Sequence, residues 1–435
     1  MKGQKLKLIL LSFLQFAVWG AYLTSQGRYL GDIGFGGRIG WFYSVQGIVS
    51  IFMPAIMGII ADKWIPAQRL LGLCHGLAGA AMIGAGVYGM AAGTEVEFGM
   101  LFGLYTLSIA FFMPTIAISN SVSYTVLEKS GLDPVKDFPP IRVWGTVGFI
   151  CSMWFVDLVK MDGVAMQETS MQYIVSGALS IVLALYTVTL PECPVNRSSQ
   201  KKTLVDAMGL RAFTLFRQRK MAVFFIFSLL LGVALQITNG FANPFLADFG
   251  NLPEYQDAFG VKHSNMLISL SQISETLCIL LIPFFLKRYG IKNVMIIAML
   301  AWVLRFGFFA LGDPGSGIWL IVLSMIVYGV AFDFFNISGS LFVNQTTDKS
   351  IRSSAQGLFM LMTNGIGAAV GTIGAQEVVN FLVNSHKVPG ADGAIDWHAV
   401  MTGWSNAWWV FAVYALVVAI LFALIFKHKH DRSAA

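Results

Sequence analysis

The sequence predicts an all-α membrane protein in which 12 transmembrane helices form two six-helix bundles. Three observations carry that expectation. Of 435 residues, 56% are hydrophobic and only 12% charged, with mean hydropathy +0.69; a soluble globular chain carries about twice that charged share. The apolar residues fall in long runs of about 20, the length a helix needs to cross a hydrocarbon core of about 30 Å. These runs are split six and six by one basic, polar stretch over 191–220. The expected organisation is an N-terminal bundle over 1–190, a cytoplasmic connector over 191–220 and a C-terminal bundle over 221–435.

The N-terminal MKGQKLK is followed by LILLSFLQFAVWGAYLTSQ, which is too long for the core of a secretory signal and lacks a small-residue cleavage site after it. It is read as a retained first span, from about Leu6 to Leu30. The second runs from about Gly40 to Ile60, the third from Leu70 to Ala92 and the fourth from Phe98 to Ser121. The fifth starts at Ile141, after Pro139 and Pro140, and reaches Val159; the sixth covers Tyr173 to Leu190. Beyond the connector, apolar runs recur at about Met221–Phe245, Ser264–Leu286, Asn293–Leu311, Trp319–Phe342, Gly357–Leu382 and Ala407–Phe426. Gly365, Gly367, Gly371 and Gly374 give the eleventh a smooth surface suited to close packing or bending.

The formal charge of +6 is spread along the loops rather than gathered on one soluble face, so nucleic acid is not an expected partner. With both termini cytoplasmic, inside segments hold 22 of the 29 basic residues and outside segments five, leaving Arg142 and Arg305 within helices. That bias orients the chain. Cys74, Cys151, Cys193 and Cys278 form no CxxC or CxxH pair, so neither a disulfide framework nor a metal site is expected. No phosphate-binding G-x-x-x-x-G-K-[ST] loop and no paired nucleophile and base occur, so neither ATP-driven export by this chain alone nor an enzyme is expected, and no cofactor is.

Polar residues inside the apolar runs are the candidate site. A charge at membrane depth costs on the order of 3 kcal/mol or more on insertion scales and so faces a protein interior or an aqueous cavity. Glu275 sits near the middle of the eighth segment, with Gln272 three residues earlier on the same helical face. The tenth segment carries Tyr328 and Phe332 one turn apart, then Asp333, with Asn336 three residues on; an ion pair with Arg305 is the structural alternative for Asp333. Gln236 and Asn239 share a face of the seventh segment, where interhelical bonding competes with a ligand-binding role. In the fifth, Arg142, Thr146 and Phe149 fall at i, i+4 and i+7, though Arg142 also lies close enough to the helix end to snorkel. Gln15, Gln46, His75, Asn120 and Asn364 each stand alone in an apolar run and are assigned interhelical hydrogen bonds. The combined inventory of carboxylates, carboxamides, a cation, a hydroxyl and aromatic faces suits a neutral, hydroxyl-rich solute with a flat ring.

The loop after the second segment, GIIADKWIPAQR, resembles the signature loop of the major facilitator superfamily through Gly58, Asp62 and Lys63, departing where a second glycine and a basic pair are usual. After the eighth, FLKRYGIKNV matches the same signature at Arg288, Gly290 and Lys292, with Lys287 where an acid is usual. The equivalent places of the two loops are what a parallel repeat predicts. Longer segments, LSFLQFAVWG, FMPAIMGIIADKW, PPIRVWGTVGF, LLGVALQITN, PFFLKRYGIKNVM and VYGVAFDFFNISGS, resemble the nucleoside:proton symporter family over essentially the whole membrane region. That resemblance implies the major facilitator fold and nucleoside uptake coupled to protons by alternating access, in a monomer of the bacterial inner membrane whose partners are nucleoside, protons and the lipid bilayer. It also implies substrate contact at Arg142, Thr146, Phe149, Gln236, Asn239, Gln272, Glu275, Tyr328, Phe332 and Asp333. Asp333 or Glu275 is then the proton-coupling group. A sugar:proton symporter of the same fold, or a non-transporting nutrient sensor, remains the alternative.

Overall fold

The structure is a computed structural model that describes residues 2–193, 195, 210–348, 351–391 and 393–428; residues 196–209 of the expected connector lie outside it. Ten helices among the described residues are long and apolar enough to cross a membrane. Eleven of the twelve expected segments are helical, the eighth and ninth as two arms of the Ser264–Leu311 helix; the first, expected to reach Leu30, ends as a helix at Gly20, turns over residues 21–25 and resumes as Gln26–Leu30. The chain divides into two compact units, Met1–Phe35 with Ile48–Met208, and Gly36–Gly47 with Gly209–Ala435.

In the first unit, glycine decides which helices touch. A Cβ on Gly79 would stand 2.8 Å from the Gly177 carbonyl, and one on Gly177 would stand 2.7 Å from the Gly79 carbonyl, so the Ala67–Ala92 and Met171–Tyr186 helices cross in backbone contact. Lys2–Gly20 and Pro134–Leu158 meet in the same way, with Gly148 against the Phe13 carbonyl and Gly20 against the Phe149 carbonyl. Leu8, Leu11, Leu71, Val122, Leu127 and Leu183 fill the space between. The single polar residues of these helices find one another. His75 Nδ1 lies 2.8 Å from Ser180 Oγ and Nε2 lies 2.8 Å from Gln15 Oε1, while Gln15 Nε2 donates to Thr115 Oγ1 at 2.8 Å. The interhelical role expected for Gln15 and His75 is therefore one shared network, fully buried as such groups must be when bonded.

The second unit is held by the same device. Gly367 and Gly371 lie against the backbones of Leu229 and Val233 on the Arg219–Leu235 helix. Residues Leu361–Gly367 form a π-helical turn, so the eleventh segment is irregular at its glycines, as its sequence allows. Gly40 sits so tightly on Thr372 and Gln376 that its amide donates to Gln376 Oε1 at 2.6 Å, and Gln376 Nε2 donates to the Gly36 carbonyl at 2.9 Å.

Three expectations need correction. The fifth helix begins at Pro134 rather than Ile141, and Pro139 and Pro140 lie inside it, each removing one ladder donor. The seventh is not continuous: Arg219–Leu235 and Ile237–Asp248 are separated at Gln236. Gly58, Asp62 and Lys63 belong to the Ile39–Lys63 helix rather than to a loop, and a Cβ at Gly58 would meet nothing within 4 Å, so close packing does not require glycine there. The Asp62 side chain lies outside the described residues. Gly290 does carry its weight. With φ 75° and ψ 167° it breaks the Ser264–Leu311 helix in a region that only glycine occupies freely. Gly290→Ala should therefore destabilise the protein by about 1–3 kcal/mol, read as a lower melting temperature in detergent; an unchanged melting temperature would refute this account of the break.

Candidate functional site

The Ser264–Leu311 and Ile318–Thr346 helices come into contact where Gly329 faces Ser274. A Cβ at 329 would stand 2.6 Å from the Ser274 carbonyl, and Ser274 Oγ donates to the Ile326 carbonyl. This close approach brings the flanking residues together. Glu275 follows Ser274, Tyr328 precedes Gly329, and Asp333 lies one turn on. The charges of Glu275 and Asp333 accordingly act on one another and on the Tyr328 hydroxyl. Tyr328 and Phe332 stack with centroids 5.6 Å apart and planes 18° apart.

Asp333 is only 6% exposed, yet it makes no hydrogen bond or ion pair with a described residue, and its Oδ2 is buried without a partner. Gln272 Oε1 and Asn336 Oδ1, on the same two helices, are also buried and partnerless. A buried acceptor left unmet costs about 1–3 kcal/mol, so three in one region mark a place built to receive donors. At the break in the seventh segment, Asn239 Nδ2 donates to Gln236 Oε1 at 2.9 Å, which leaves Gln236 Nε2 as donor and Asn239 Oδ1 as acceptor for another partner.

Arg305 does not pair with Asp333, contrary to the structural alternative weighed for that acid. Its guanidinium, 2% exposed, lies 4.4 Å from the centroid of Tyr328. Nη1 donates to the Ser324 carbonyl at 2.7 Å and to Ser271 Oγ at 3.4 Å, and Nη2 donates to Thr238 Oγ1 at 3.1 Å. Thr238 neighbours Asn239, Ser271 neighbours Gln272, and Tyr328 is itself a candidate, so one cation ties three parts of the site together. Sequence reading noticed Arg305 as a charge within a span and missed this role. The signal was a hydroxyl residue standing next to two of the candidate amides, Thr238 beside Asn239 and Ser271 beside Gln272.

In the first unit, the Arg142 guanidinium stacks 3.7 Å from the Phe16 centroid. Gly145 permits this, because a Cβ there would come 2.6 Å from the Phe16 ring and 2.8 Å from Arg142 Nη1. Arg142 is half-buried rather than extended to the surface. Phe149 is 7% exposed and meets Trp19 edge-on at 6.4 Å, and Thr146 lies half-buried between the two on the same helix. Among the described residues no group of three or more His, Cys, Asp or Glu side chains is placed to hold a metal.

Comparison with known proteins gives these features their context. A family profile described as nucleoside H+ symporter matches residues 1–431. A xanthosine permease of Escherichia coli K12 is 49% identical over 429 residues, 98% of this chain and 96% of that protein. The nucleoside permease NupG of the same organism is 47% identical over 431 residues, covering 98% and 97%. A crystal structure of NupG superposes with a TM-score of 0.85 at 45% identity, over 98% of this chain and 100% of that one. A D-xylose–proton symporter structure, at 11% identity and TM-score 0.71 over 99% of each chain, shares the fold alone. The fold is that of the major facilitator superfamily, and the chain belongs to the nucleoside H+ symporter family.

Proposed function

We propose that this proton-coupled nucleoside transporter binds its substrate with Gln236, Asn239, Gln272, Glu275, Tyr328, Phe332 and Asp333 of the second unit and Arg142, Thr146 and Phe149 of the first. The partnerless acceptors Gln272 Oε1 and Asp333 Oδ2, beside the Tyr328–Phe332 stack, carry the reading. An aromatic face stacks on a base for about 1–3 kcal/mol. Carboxamides match base edges by donating and accepting at once, and carboxylates accept from ribose hydroxyls. Asp333 takes the coupled proton: an ionised carboxylate so buried and without a donor is costly to hold, so its charge is the one whose removal the site gains most from. Glu275 holds ribose hydroxyls. The family of transporters to which the chain belongs sets aside an enzyme, and the sugar and sensor alternatives with it.

We further infer a monomer of the bacterial inner membrane that works by alternating access, with both termini cytoplasmic, an orientation the basic-residue bias supports; its conformational residues are Gly58, Asp62 and Lys63 at the end of the Ile39–Lys63 helix and Arg288 and Gly290 at the break in the Ser264–Leu311 helix. Uptake of a panel of nucleosides, free bases and free sugars into proteoliposomes tests substrate and coupling together. Nucleosides should accumulate only when the outside is acid, and excess sugar should not compete. Accumulation independent of the pH gradient, or competition by sugars and not by nucleosides, would overturn the assignment.

A further inference from the structure

At one end of the second unit, basic side chains from three separate elements converge. Arg219 and Lys220 open the Arg219–Leu235 helix, Lys292 lies just past the break at Gly290, and Lys427 and His428 follow the Trp397–Ile425 helix. Lys220, Lys292, Lys427 and His428 are the described residues that line an open depression of about 700 Å³. A second depression, of about 270 Å³, shares Lys220 and Lys427 with it and adds Arg219, Val223, Ile425 and Phe426. Among the described residues no carboxylate lines either one. Lys220 Nζ is 3.0 Å from His428 Nδ1 and 5.2 Å from the Phe342 centroid, and Lys292 Nζ donates to the Ala423 carbonyl at 2.9 Å. None of Arg219, Lys220, Lys292 and Lys427 pairs with an acid among the described residues.

Basic residues at the ends of spans are common, and scattered ones need no ligand. Here they surround one concavity, and like charges held together repel unless an anion joins them. The neighbouring surface narrows the anion's identity. Val223 and Ile425 line the smaller depression, and beyond it Ile226, Leu421 and Leu424 are 51%, 41% and 70% exposed on the same two helices. A basic mouth opening onto an exposed apolar strip along two spanning helices has the shape of an amphiphile with an acidic head. We propose that this is a binding site for an anionic phospholipid, its phosphate held by Lys220, Lys292 and Lys427 and its acyl chains along the Ile226–Leu421–Leu424 strip. A soluble phosphate would use only the basic half, and lipids with neutral headgroups only the apolar half.

The test uses the full chain in detergent, with bound lipid counted by native mass spectrometry. Phosphatidylglycerol should be retained by the parent protein and phosphatidylcholine should not. Each cation near an anionic headgroup contributes about a fivefold change, so the variant K220Q/K292Q/K427Q should bind phosphatidylglycerol on the order of a hundredfold more weakly. The charge-retaining variant K220R/K292R/K427R should bind as the parent does, and so should K129Q/K136Q/K160Q, which removes three exposed charges from the first unit. The proposal fails if the glutamine triple binds like the parent, if the arginine triple loses binding, or if the first-unit variant weakens equally, which would indicate general charge attraction. It also fails if millimolar inorganic phosphate displaces the lipid, since the site would then be one for a free anion.

Discussion

Asp333→Asn should abolish accumulation of nucleoside against its gradient while leaving exchange of nucleoside across the membrane in place. The argument starts from geometry. Asp333 is brought beside Glu275 by the contact of Gly329 with Ser274, its Oδ2 lies buried without a donor, and Arg305, the cation weighed as its partner, is spent on Tyr328, Ser324, Ser271 and Thr238. Two carboxylates close together in a poorly solvated place do not both stay ionised at low cost. The proton that relieves them is the one a symporter carries. One pH unit corresponds to 1.36 kcal/mol, so one proton per nucleoside supports about tenfold accumulation for each unit by which the outside is the more acid. The asparagine keeps the shape and binds no proton, so the ratio of inside to outside nucleoside should fall to about one at every gradient. Glu275→Gln should behave differently: losing a hydrogen bond to a charged acceptor costs about 1.5–3 kcal/mol, which weakens binding by about ten- to a hundredfold, while the accumulation ratio of what is carried still follows the gradient. If Asp333→Asn still concentrates nucleoside and Glu275→Gln does not, the two roles are exchanged. If both still concentrate it, neither acid is the coupling group.

The second large effect is expected at Arg305, which is not itself among the proposed substrate contacts but lies on the ring of Tyr328, which is. Replacing it with methionine fills a similar length of space but leaves the Ser324 carbonyl and the hydroxyls of Thr238 and Ser271 without their donor, and removes the cation from the face of Tyr328. A single lost hydrogen bond to a charged group is worth about 1.5–3 kcal/mol. Arg305→Met should therefore raise the KM for nucleoside by about tenfold or more, because Tyr328, Gln272 and Asn239 lose their common anchor. Arg305→Lys should lie between the two, since an ammonium keeps the charge but lacks the planar fork that reaches three partners on three elements. Uptake kinetics on membranes with matched amounts of folded protein would check this. An unchanged KM in the methionine variant would show that the site holds its shape without the arginine.

Much of this was legible in the residues themselves. Run length and charge depletion mark the spans, and all the expected segments but the first are helical, because a backbone in lipid must bond to itself wherever it lies. A carboxylate amid apolar residues is so costly that Glu275 and Asp333 announced themselves. Less legible was what each polar group does with its neighbours. Gln15 and His75 looked like separate residues because 60 positions divide them, yet they share a 2.8 Å contact. Gln236 and Asn239 looked like two groups on one helical face, but they bond to each other at a break in the helix that no proline or glycine at that position signals. The glycine of the first signature-like loop met nothing, while Gly290 in the second takes a backbone conformation barred to other residues.

The sequence by itself determined that this chain spans a membrane many times with helices, which family it resembles, and which polar residues are too costly to be there without a purpose. Those are properties of composition and local spacing, which transfer energies and helix length settle residue by residue. The tertiary structure decided that Arg305 serves Tyr328 and not Asp333, that Gly329 brings the two acids together, and that three separate elements build one basic mouth. Partners of this kind are chosen by which helices can approach closely, and that depends on glycines and side-chain volumes distant in the chain.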